Sequence, residues 1–186
     1  MVPSCERFDV RSEILKLKSA GVPKIRATVT LIWEEWKKFQ GPSQVSLQKL
    51  WEDESVQSSW QTRAAVVYLS GYCASQDKRV LEFMRIFGAR DLDWRVQECF
   101  AKAFDIYGHL KGYENILSDI EAWMKDSTPN VRRAASEGLR PWTKRKPFDK
   151  NPQLALKCLT VLLKDESDYV RRSALNAIND MRKDEV

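Results

Sequence analysis

The chain has 186 residues, 43% hydrophobic and 31% charged, with a net charge of +5, the balance of an ordinary globular domain. No apolar run approaches the ~20 residues of a membrane span. Residues 1–10 hold Glu6, Arg7 and Asp9 where a signal peptide needs an apolar stretch, so a cytoplasmic protein with no membrane contact is expected.

Apolar residues recur at helical spacing along almost the whole chain. Ile14, Leu15 and Leu17 form a first stripe, and Gly21 stops it. Ile25, Val29, Ile32, Trp33 and Trp36 make a wide apolar face on the next helix, with Pro23 in its first turn. Gly41-Pro42 separates that helix from a third. Trp33, Trp36, Trp51, Trp60 and Trp123 sit on helical stripes and read as core. Gly108, Gly112 and Pro141 read as breaks, with His109 in a turn. Thr128-Pro129 and Asn151-Pro152 each place a capping residue before a proline at the first helical position. The total is about ten helices with short connections and no strand signal.

His109 is the only histidine, and Cys5, Cys73, Cys99 and Cys158 lie far apart. That argues against a metal site, a CxxC redox pair or a histidine-dependent nucleophile, and no cofactor is expected. The cysteines read as thiols packed on helices.

Three segments repeat. Asp91-Leu-Asp-Trp-Arg-Val96-Gln-Glu aligns with Asp126-Ser-Thr-Pro-Asn-Val131-Arg-Arg and with Asp165-Glu-Ser-Asp-Tyr-Val170-Arg-Arg. The copies start 35 and 39 residues apart, slightly under the period of HEAT-type helix pairs. Such pairs bury their apolar faces only by stacking. The predicted fold is therefore all-α, a right-handed α-α superhelix (solenoid) of HEAT-like pairs forming one domain over 1–186. The paired polar residues are expected to line one surface. The second of them reads Glu98, Arg133, Arg172, so one carboxylate interrupts a basic row. Glu98 is either a functional carboxylate or an exposed residue paired with Lys102.

Charge is concentrated as well. Residues 125–150 hold Lys125, Arg132, Arg133, Arg140, Lys144, Arg145, Lys146 and Lys150 against Asp126, Glu137 and Asp149, a surplus equal to the whole +5 of the chain. A patch of this kind suits a phosphate backbone or is simply a solvated helix face with a charged loop. Arg132 and Arg171 could instead bridge repeats through Asp126, Asp165 or Asp168. Trp142, beside the basic loop, either stacks on a base or covers a repeat end.

These residues resemble the AlkD-like DNA alkylation repair proteins, HEAT-like DNA glycosylases that act on alkylated purines. Gly21-Val22-Pro23-Lys24-Ile25-Arg26, Leu50-Trp51-Glu52 with Ala64-Ala65, and Asp93-Trp94-Arg95-Val96-Gln97-Glu98 are similar to family segments, as are Asn130-Val131-Arg132-Arg133 and Tyr169-Val170-Arg171-Arg172. The resemblance implies Trp94 against the lesion's deoxyribose, Glu98 as catalytic carboxylate and Asp93 as a second acid. It implies double-stranded DNA as the partner of a monomer, held independently of sequence through Arg132, Arg133, Arg171, Arg172 and the Lys144-Arg145-Lys146 loop. A second cradle tryptophan of active members falls near Asn176 here, which is counted with the DNA-contacting positions. A non-catalytic DNA-binding module and a protein scaffold are the competing expectations.

Overall fold

The computed structural model describes residues 8–38, 44–138, 140 and 148–182. Cys5, Trp142 and the Lys144-Arg145-Lys146 loop lie outside the described residues. Eleven α-helices and no strand occur among the described residues. In chain order they are α1 (Val10–Leu15), α2 (Val22–Trp36), α3 (Gln44–Glu52), α4 (Glu54–Gln57), α5 (Trp60–Ala74), α6 (Val80–Ile86), α7 (Trp94–Lys111), α8 (Leu117–Met124), α9 (Pro129–Gly138), α10 (Pro152–Leu162) and α11 (Asp168–Arg182).

The second helix of each pair packs on its counterpart in the next pair. Helices α2, α5, α7, α9 and α11 thus form a spine, with α1, α3–α4, α6, α8 and α10 along its flank. One continuous apolar core runs from Val10 to Ile178. This is the all-α solenoid of stacked pairs that the sequence predicts. No helix among the described residues is long and apolar enough to cross a membrane.

Local chemistry sets the helix starts. Asp53, Ser59 and Asp93 cap α4, α5 and α7 by accepting hydrogen bonds from backbone N–H groups of the first turn. Helix α5 is apolar almost all round, with Ala64 to Gly71 buried, as a helix in the middle of a stack must be. Across the α7–α8 junction Trp123 stacks on Phe104 with ring centroids 4.1 Å apart and on Phe100 at 5.4 Å. Trp33 and Trp123 are buried, while Trp36, Trp51 and Trp60 pack partly buried against the core.

One glycine reading needs correction. Gly108 lies inside α7, where the Tyr113 ring packs so tightly that a side chain would collide with it. Only Gly112 ends the helix, and His109 sits exposed in its last turn. Gly71 lies inside α5, pressed against the backbone of Ala103 on α7.

Candidate nucleic-acid interface

The repeat starts share one construction. Asp91, Asp126 and Asp165 each accept a hydrogen bond through Oδ1 from the backbone N–H two residues on, at 2.8, 2.7 and 2.9 Å, which closes a side-chain turn before the helix. The first polar residue after each Val then reaches back six residues to a carbonyl. Gln97 Nε2 donates to Asp91 O at 2.7 Å, Arg132 Nη1 to Asp126 O at 2.8 Å, and Arg171 Nη1 to Asp165 O. Arg63 Nη1 does the same to Gln57 O at 2.9 Å. Residues 57–63 are therefore a fourth repeat start, unseen in the sequence because Gln57 and Thr62 stand in place of Asp and Val.

The same arginines tie each pair to the next. Arg63 Nε donates to Asp91 Oδ2 and Arg132 Nε to Asp165 Oδ2, both at 2.6 Å. Arg132 is only 7% exposed, so it is not a phosphate-facing residue. It is the inter-repeat bridge that was its alternative. Arg171 is held within its own loop by Asp165 O and the Asp168 carboxylate. Arg132 holds the Asp165 carboxyl below its usual 3.8, outweighing the upward push of burial.

The series is broken once. Gln97 is too short and uncharged to bridge to Asp126, and bonds instead to Gly88 O and Ala89 O. Arg85 from α6 supplies the guanidinium to Asp126. Across this α7–α9 junction a different pair forms, between Arg133 and Glu98 Oε1. Arg133 is 6% exposed, and its guanidinium also lies 4.4 Å from the centroid of the Tyr169 ring. One side chain from each of α7, α9 and α11 thus meets at a single point. Arg133 lies beneath Glu98 and Tyr169, which departs from the expectation that it faces DNA directly. Lys102 pairs at 3.7 Å with Asp105, not with Glu98.

Trp94 opens α7 with 68% of its surface exposed, and Glu98, one turn on, has a side chain 41% exposed. Residues four apart share a helix face. Asp93 is used differently. Its carboxylate caps α7 and pairs with Arg95 at 2.6 Å, and the Arg95 guanidinium holds it below the usual carboxylate range. It is a helix cap and not an uncommitted acid. Arg172 and Asn176 are both exposed on α11, and Arg172 has no ion pair among the described residues. Tyr169 is the member of the cluster that sequence reasoning quoted only as part of a repeat. Its position directly before Val170 gave no sign that it would cover an arginine of the neighbouring pair.

Three of the patch's five described cations are committed internally. Of its eight cations, Lys144, Arg145 and Lys146 lie outside the described residues, Arg132 and Arg133 are buried, and Arg140 pairs with Glu137 and Asp180. Lys125 and Lys150 are exposed. Among the described residues no three of His, Cys, Asp and Glu gather into a metal site. Burial pushes the Cys73 thiol well up, Cys99 to about 11 and Cys158 up, so none is a ready thiolate nucleophile at neutral pH.

A solenoid of stacked helix pairs defines the class. Two solved structures from Streptococcus mutans share that fold. AlkD2 is 34% identical with a TM-score of 0.77, the match covering 93% of this chain and 82% of that one. The protein smu.31 of strain UA159 is 33% identical with a TM-score of 0.76, over 94% of this chain and 84% of its own. The chain belongs to the AlkD-like family. An uncharacterised Bacillus subtilis protein, YhaZ, is 42% identical over 78 residues, which is 40% of this chain and 22% of YhaZ. No family model matches the chain.

Proposed function

We propose that the chain is a DNA-binding repair protein that removes cationic alkylated purines, such as 3-methyladenine and 7-methylguanine, by hydrolysing the N-glycosidic bond. The observation that carries this reading is the placement of exposed Trp94 one helical turn before Glu98, a carboxylate positioned by Arg133. A purine alkylated at N3 or N7 already carries positive charge, and breaking its glycosidic bond moves cationic character onto the sugar. A fixed carboxylate stabilises that transition state more than the ground state. Arg133 engages Oε1, which leaves Oε2 to orient the attacking water and accept its proton. The Trp94 face adds a cation–π contribution of about 1–2 kcal/mol where water is excluded.

Methylated duplex DNA incubated with the protein should release free 7-methylguanine or 3-methyladenine. The Glu98→Gln variant should lose release and keep DNA binding. Absence of release by the unaltered protein would sink the hydrolase reading.

A second reading has its own support. Glu98 is already neutralised by a buried guanidinium, and position 176 offers an exposed asparagine and no aromatic wall. A DNA-binding protein without base release would show duplex or junction binding that weakens in Arg172→Ala, with no free base at any time point.

A further inference from the structure

Among the described residues one buried side-chain nitrogen has no hydrogen-bond partner, Nε of Arg26 on α2. Arg26 also has no ion pair among the described residues. Its guanidinium lies 6.0 Å from the centroid of the Tyr68 ring on α5. Arg63, Arg132 and Arg133, which also lie between neighbouring pairs, each hold a carboxylate. A buried N–H without an acceptor costs stability, and native chains keep few of them.

Tyr68 places a second donor beside the first. Its side chain is 9% exposed and stands edge-on to Tyr72, with ring centroids 6.1 Å apart. The Tyr72 hydroxyl is engaged by Thr30 Oγ1 at 2.9 Å, whereas the Tyr68 hydroxyl has no hydrogen bond among the described residues. Burial pushes the Tyr68 phenol up to about 12, so it keeps its proton at neutral pH. Neither α2 nor α5 has an acidic residue in its first turn. Asp105, whose charge reaches Tyr68, is taken up by Tyr113 and Lys102. A guanidinium next to a phenol, two donors with no acceptor between them, suits an oxyanion. A cation would be repelled there, and an apolar group would leave both donors unpaired.

The charge of Arg26 also acts on the Cys99 thiol, the residue after Glu98. Helices α2 and α5 precede α7 in the spine and α9 follows it. The two donors therefore flank Glu98 on the side away from Arg133.

We infer that Arg26 and Tyr68 form a subsite for a phosphate oxyanion, supplied by a duplex backbone laid along the spine or by free phosphate. With duplex DNA as the source, the inference rests on the DNA-binding reading above and extends its contact surface two helix pairs toward the N-terminus. Two measurements separate the sources, each on the unaltered protein, Arg26→Met and Arg26→Lys. Anisotropy of an end-labelled duplex is followed over a salt series, and thermal melts are run in inorganic phosphate and in chloride at equal ionic strength. For a backbone phosphate, Arg26→Met should bind severalfold more weakly with a salt slope lower by about 1, while Arg26→Lys keeps the slope. In chloride Arg26→Met should melt no lower than the unaltered protein, because methionine keeps the apolar stem and removes a donor that had no partner. For free phosphate, phosphate should raise the Tm of the unaltered protein and not that of Arg26→Met, with equal duplex affinities. Equal affinities and slopes together with melts that phosphate shifts alike in all three proteins, or in none, overturn the subsite and leave the binding reading standing. No anisotropy change with the unaltered protein overturns the binding reading, and the melts then decide the subsite alone.

Discussion

Arg132 and Arg171 occupy the same place in their repeats yet stand in different surroundings. Arg132 is buried between two pairs, against an Asp165 side chain that is 6% exposed, whereas Arg171 has a side chain 38% exposed. Truncating Arg132 leaves a buried carboxylate without its partner, so Arg132→Ala should cost about 3 kcal/mol or more, read from urea unfolding. Arg171→Ala should cost under about 1 kcal/mol. The pair also carries a pH signature. Asp165 titrates lower in the folded chain than in the unfolded one, where it stands at about 3.9. The stability it contributes is complete above that value and lost as pH falls through the lower folded value. The acid limb of the stability curve should therefore be shallower in Arg132→Ala than in the unaltered protein. None of this was legible from two adjacent arginines, since an Arg-Arg pair reads alike whether it faces phosphate or an aspartate 33 residues away.

At the scale of elements, the Asp-x4-Val pattern revealed three helix starts correctly because the turn, the cap and the first core valine are all local chemistry. The start at Gln57 was hidden because it keeps the carbonyl contact without the aspartate. Gly108 was misread as a break, and the roles of Gly71 and Gly138 were not legible, because sequence shows a missing side chain but not what lies opposite. At Gly71 the opposing group is the backbone of Ala103, and at Gly138 a Cβ would lie 2.6 Å from Ala101 O. Both glycines let neighbouring spine helices approach closely. Gly71→Ala and Gly138→Ala should each destabilise by about 1–3 kcal/mol, since close-packed helices must shift to admit a methyl group. Thermal melts would show this, and a neutral Gly71→Ala would contradict the packing described at α5 and α7.

For the whole molecule, the number of basic residues overstates what is available to a polyanion. Of the arginines that look like a DNA-facing row, Arg132 and Arg133 tie neighbouring pairs together and Arg171 is held in its own loop. If the chain binds duplex DNA, log Kd against log salt should have a slope of about 3 or 4, because each phosphate neutralised contributes about 0.9. Arg172→Ala should lower that slope by about 1, and Arg132→Ala should leave it unchanged wherever the protein stays folded. A slope near 8 would mean that the arginines placed inside the stack turn outward on binding. Trp94 and Glu98 were legible as a site from their spacing and from the interrupted basic row. Their partners Arg133 and Tyr169 come from two other repeats, and only the stacking of α7, α9 and α11 brings them together.

The bond from Glu98 to Arg133 stands at the junction where Gln97 makes no aspartate bridge of its own. The side chain at 98 is thus asked for a length as well as a charge. Aspartate keeps the charge and falls one methylene short of the α9 guanidinium, while glutamine keeps the reach and sheds the charge. Comparing those two substitutions sorts the demands of architecture from those of chemistry at a single position, with neither standing in for the other.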